Sequence, residues 1–147
     1  MRTRRIGTAL GLLVLVFGGL ARADPPEAKT PTPSPREQGL AWLGTHANPD
    51  GSWGRTHTTA VTGLACLAYL ASSDDPFEGA RAKPLVDGLG FLLKQQDHGV
   101  FPKQGHTGIH GQGFATLALS EAYGRTLFGG PKPDLDLEKL KKTIDLA

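Results

Sequence analysis

Beyond residue 36 the chain restates itself at a period close to 49 residues. Gly39-Leu40-Ala41-Trp42-Leu43 returns as Gly88-Leu89-Gly90-Phe91-Leu92, an offset of 49. Asp50-Gly51-Ser52-Trp53 returns as His98-Gly99-Val100-Phe101, an offset of 48. Thr62-Gly63-Leu64-Ala65 returns as Gln112-Gly113-Phe114-Ala115, an offset of 50. A recurrence of this length marks stacked supersecondary units. Such units bury their apolar faces against neighbours, so the feature constrains the architecture more than any single motif.

Each unit reads as helix, loop, helix. Ser34-Pro35-Arg36-Glu37 carries a cap residue, Pro at the first helical position and Glu three after the cap, which is a capping box. Asn48-Pro49-Asp50-Gly51 has the residue order of a type I turn. The second helix of the unit is expected at about Thr58 to Ala71. From Val61 onward it is apolar or small almost all round, the pattern of a buried helix. Its counterpart is expected from about Gly111 to Tyr123, with Gly124 as a left-handed stop. In the second unit Asp75-Pro76-Phe77-Glu78 offers a helix start and Pro84 a restart. Leu137 to Ala147 reads as the outer helix of a third unit. No run alternates with period two, so the expected class is all-α.

Residues 1–23 read as a signal peptide. Arg2, Arg4 and Arg5 precede an uncharged stretch from Ile6 to Leu20, and Ala21-Arg22-Ala23 is a small-x-small cleavage sequence. The apolar stretch falls short of the ~20 residues of a membrane span, so no stable membrane anchor is expected after cleavage. Residues 24–35 hold five prolines in twelve positions, a spacer composition. Residues 36–147 are the folded part. The full chain has 16 basic and 14 acidic residues. Removing the leader's four arginines leaves 12 against 14, a net of −2. Nucleic acid is therefore not an expected partner. The chain is expected to be exported, to the periplasm or beyond. Cys66 is the only cysteine, so no internal disulfide is available, and its apolar neighbours make it a core residue.

The loops carry a resemblance. Gln95-Gln96-Asp97-His98-Gly99-Val100-Phe101 resembles the QxxxGxW repeat of squalene cyclases, with Phe in place of Trp. Asn48-Pro49-Asp50-Gly51-Ser52-Trp53-Gly54 resembles a looser form of it. Thr58 to Ala71 and His110 to Leu119 are similar to inner helices of prenyltransferase/squalene-oxidase repeat proteins, in particular secreted planctomycete-type ones. The resemblance spans residues 36–147 and implies an α/α toroid. Within it Asp50, Gly51, Trp53, Gln95, Gly99 and Phe101 are expected to staple the loop that joins outer to inner helix. An amide bonds loop backbone, an aromatic covers a helix end, and glycine lets the chain turn sharply.

Candidate chemistry is sparse. The DxDD acid of triterpene cyclases does not occur; Asp74-Asp75 and Asp134-Leu135-Asp136 read as caps. Cys66 lacks the context of a prenyltransferase zinc ligand, and the complement-type Cys-Gly-Glu-Gln is absent. His106 and His110 are four apart, but glycines around them favour a loop, so no metal site and no cofactor is expected. His57, His110 and Gln112 stand where inner helices begin, a place whose free N–H groups favour ligands. They are read either as ligand contacts or as ordinary caps beside close-packing glycines. Two functions follow. One is an exported, non-catalytic module binding a small molecule or protein. The other is a terpene-cyclase-like enzyme whose catalytic residues lie in repeats beyond these 147 residues. A fragment of a longer protein is the expected status, with self-association as the alternative for a complete short chain.

Overall fold

The first helix begins where its caps place it. α1 runs Pro35–Thr45: the Ser34 side chain accepts from the Glu37 N–H, and the Glu37 carboxylate accepts from the Ser34 N–H at 2.7 Å. In the computed structural model the described residues are 32–72, 75–101, 108–128 and 133–147, and those from Thr32 onward cluster as one unit. The segment expected to be a signal peptide, the expected linker up to residue 31, Asp74 and His106 lie outside the described residues.

Four more α-helices follow: α2 Thr58–Leu70, α3 Ala82–Gln95, α4 Gly108–Leu127 and α5 Leu137–Leu146. The class is all-α. Among the described residues the only β feature is an isolated bridge between Asp97 and Val100. Asp75 to Glu78 makes a turn instead of a helix start, with Glu78 N–H donating to Asp75 C=O at 3.3 Å. A 3-10 turn at Gly79–Arg81 leads into α3, and Pro84 falls in its first turn, where a missing N–H breaks no intrahelical bond. α4 is longer than expected at both ends. It opens at Gly108 and passes through Gly124, beside which a Cβ would have open space. A glycine there costs about 1 kcal/mol of helix propensity. The buried Ala122, the Arg125–Glu121 pair at 3.0 Å and the Thr126 hydroxyl on Tyr123 C=O hold the last turns.

α1 and α2 are antiparallel. The Arg36 guanidinium donates to Ser72 C=O, and the Tyr69 hydroxyl donates to Leu40 C=O at 3.0 Å. α2 and α4 are parallel and touch through main chain. A Cβ on Gly63 would lie 2.7 Å from the Phe114 carbonyl carbon, and one on Gly111 would lie 3.7 Å from Thr59 Cβ. Pairing in ascending order, 59 with 111 and 63 with 114, requires both helices to run the same way. α3 contacts both α2 and α4, with α1 against α2 and α5 against α3 and α4.

The core lies between these helices. Leu70, Leu85, Leu89, Leu92, Leu119 and Leu140 are fully buried, each contributing roughly 2 kcal/mol by the area removed from water. Gly88 lets α3 pass close over Trp53 and Cys66; a Cβ there would meet Trp53 at 2.7 Å and Cys66 Sγ at 2.8 Å. One expectation fails. α2 is not buried all round: Val61 is 36% and Leu64 47% exposed. α4 covers one edge of α2 and leaves the sector opposite α1 and α3 in solvent.

Candidate functional site

The two connecting loops are held by α2 and α4. Trp53 N–H donates to the Thr62 hydroxyl at 3.0 Å. Phe101 N–H donates to Gln112 Oε1 at 2.9 Å, and Gln112 Nε2 donates to Gly99 C=O at 2.9 Å. Trp53 and Phe101 are both 2% exposed, and the Trp53 indole N–H donates to Leu43 C=O at 2.8 Å, tying the end of α1 to the loop. Asp50 accepts from the Ser52 hydroxyl at 2.7 Å and from the Ser52 N–H at 3.0 Å. These bonds, the hydroxyl first, hold the Asp50 carboxyl below the usual carboxylate range. Gly51 N–H closes the turn on Asn48 C=O at 3.0 Å.

Gly51 and Gly99 adopt φ of +86° and +79°, the region that favours glycine. Each also presses on a following helix. A Cβ on Gly51 would lie 2.6 Å from Asp87 C=O, and one on Gly99 would lie 2.6 Å from the Leu146 carbonyl carbon. Gln95 is the last residue of α3 and half-buried. The loop amide contact beside it comes from Gln96, whose Oε1 accepts from Gly99 N–H at 2.8 Å. The amide that spans the loop is Gln112, so its side chain is engaged with backbone.

His57 and His110 sit at the N-terminal ends of α2 and α4, and the parallel packing brings those ends to one rim. His57 is the N-cap residue, exposed, at φ +53°, and its side chain makes no capping hydrogen bond. His110 is exposed, with its ring 6.4 Å from that of Phe114. Between them the Thr59 hydroxyl is buried without a hydrogen-bond partner, the only such side-chain atom among the described residues.

Below that rim runs a stripe that the sequence did not single out. Leu64 and Phe114 are equivalent at the offset of 50. Leu64 is exposed and Phe114 half-exposed, although α2 and α4 are otherwise packed together. Ala71 and Glu121, two turns on and also equivalent, are exposed as well. The sector therefore faces solvent on both helices. The only available clue was the 3.6-residue spacing of Leu64 and Ala71, which an all-apolar helix hides.

The polar alternatives lie elsewhere. Among the described residues no group of three His, Cys, Asp or Glu side chains is placed to hold a metal ion. Cys66 is fully buried, and burial pushes its thiol up to about 12, away from thiolate chemistry. A groove of about 640 Å³ lies between Asp50, α3 and the start of α5. Its charges mix in sign, with Lys83 and Asp87 paired at 2.7 Å, and it is remote from the histidine rim. No helix among the described residues is long and apolar enough to cross a membrane. No family, no curated protein and no solved structure matches the chain.

Proposed function

We propose that this chain is an exported helical-repeat module of the prenyltransferase/squalene-oxidase repeat kind. In this reading its helices follow the α/α toroid plan, and it acts by binding an apolar small molecule or a protein surface along the inner layer. The observation that carries it is the stripe of Leu64 and Phe114. Large apolar side chains left accessible at equivalent positions of adjacent parallel helices form a continuous surface, the usual mark of a binding face. The rim above it supplies His57, His110 and the orphan Thr59 hydroxyl as polar groups able to fix orientation. The engaged side chain of Gln112 serves the loop, so the ligand-facing polar set in this reading is His57 and His110.

The test uses anilinonaphthalene sulfonate as the apolar probe, with emission read on the folded chain. Saturable binding is expected, at least tenfold weaker in the Leu64→Ser/Phe114→Ser double variant at unchanged helicity. Equal binding by the double variant would overturn the reading. Export is tested on the mass of the protein recovered outside the cytoplasm. The expected N-terminus is Asp24; recovery only inside the cell, with Met1 intact, refutes it.

A further inference from the structure

The contact between α2 and α4 has two unlike edges, and each helix leaves one edge open. On α2 the edge against α4 holds Thr59, Gly63 and Leu67. Thr59 is buried, Gly63 sits on the main chain of Phe114, and Leu67 packs against the core. At the offset of 50 the same edge of α4 holds Ile109, Gly113 and Leu117. Here Ile109 is 84% exposed and Leu117 55% exposed, and among the described residues nothing lies within 4 Å of a Cβ placed on Gly113. A glycine that admits a neighbouring backbone in the first unit faces empty space in the second, between two large aliphatic side chains.

The converse holds on the other edge. α4 meets α2 through Gly111 and the main chain at Phe114 and Ala115, and one turn on Ala118 is, like Ala115, fully buried. The equivalent residues of α2 are Val61, Ala65 and Ala68. Val61 and Ala68 are exposed, and Ala65 is already buried.

We propose that two copies of this chain join head to tail, the open edge of α2 in one copy seating on the open edge of α4 in the other. The proposal rests on the reading of the two hairpins as successive repeats. What selects the occupant is the contact already made inside the chain. The α2 edge of a second copy is the repeat equivalent of the α4 edge that Gly63 receives, and it brings the main chain of Leu64 and Ala65 to Gly113, with the small Ala68 one turn further along. The two edges differ, so the contact is heterologous. Each copy keeps one open edge after pairing, and growth continues until a ring closes. Leu64 and Phe114 enter these contacts through main chain, and their side chains stay accessible, as that of Phe114 does at the contact already made.

The test is light scattering after size exclusion on the 147-residue chain, with two single variants. Gly113→Trp blocks the α4 edge where the fold leaves room. Ala68→Arg blocks the α2 edge at an exposed position. Wild type is expected to exceed the mass of one chain, rising with concentration. Each variant alone is expected at one-chain mass with wild-type circular dichroism. An equimolar mixture is expected at the mass of two chains and no more, because one good edge of each kind remains. Wild type at one-chain mass over a hundredfold concentration range would overturn the proposal, whatever else covers the edge. So would a mixture that stays at one-chain mass, which means the contact is not head to tail. Probe binding by Gly113→Trp reports on the Leu64 stripe separately, so failure of one reading is distinguishable from failure of the other.

Discussion

The same substitution at Gly63 and at Gly113 is expected to have opposite effects. Both glycines lie inside helices, and alanine at either site gains about 1 kcal/mol of helix propensity. At Gly113 nothing opposes this gain, because the new methyl meets no atom within 4 Å. At Gly63 the methyl would lie 2.7 Å from the carbonyl carbon and 2.8 Å from the carbonyl oxygen of Phe114, and 2.9 Å from the Ala115 nitrogen. All three are main-chain atoms of α4, so relief requires the helices to part. Overpacking of this kind costs about 1–3 kcal/mol, which cancels or exceeds the propensity gain. Gly113→Ala is thus stabilised by about 1 kcal/mol, and Gly63→Ala lies about 1–3 kcal/mol below it. For a domain of this size that gap is roughly 4–12 °C in Tm. The assay is thermal unfolding followed by circular dichroism, dilute enough that each protein runs at one-chain mass. Gly63→Ala melting as high as Gly113→Ala would refute the main-chain contact between α2 and α4.

Gln112→Ala strands Phe101 N–H and Gly99 C=O and is expected to cost about 1–3 kcal/mol, whereas Gln112→Glu recovers only the acceptor half; urea unfolding ranks the three proteins. Ser34→Ala removes the cap of α1 and is expected to cost about 1 kcal/mol at neutral pH. The Ser34 N–H, then its hydroxyl, holds the Glu37 carboxyl below its ordinary 4.5. The folded value is the lower one, so this stabilisation is present above pH 4.5 and is lost as acid titrates through the folded value; denaturant midpoints of wild type and Glu37→Gln should converge there. Cys66, fully buried with its thiol at about 12, is expected not to react with a disulfide reagent at pH 8 until denaturant unfolds the chain. Reaction in the native state on mixing would contradict its burial.

Local signals were legible in the sequence. Ser34, Pro35 and Glu37 fix the start of α1 because the capping box uses only neighbours, and Asn48 to Gly51 close their turn for the same reason. What depends on tertiary partners was not legible. Gln95 and Gln112 are both amides near one loop, and only the position of α4 decides that Gln112 spans it. Gly124 has the chemistry of a stop, but packing of the preceding turn carries α4 past it to Leu127. The apolar run of α2 signals burial without revealing that one sector of it, at Leu64, meets no neighbour. His57 and His110 were singled out from their expected place at helix starts, and α2 and α4 do begin there. Leu64 and Phe114 emerge only when exposure is compared across equivalent positions.

The glycines Gly51, Gly63 and Gly99 set spacing by contact between main chains, with no side chain interposed. Segments spaced in this way have little mechanical give. Side chains can change rotamer to absorb a displacement, whereas a carbonyl resting on an α-carbon cannot. The separations at these contacts are therefore geometric constants of the backbone. Substituting one of these glycines would push the contacting segments apart, re-aiming one helix against its neighbour even where each stayed folded.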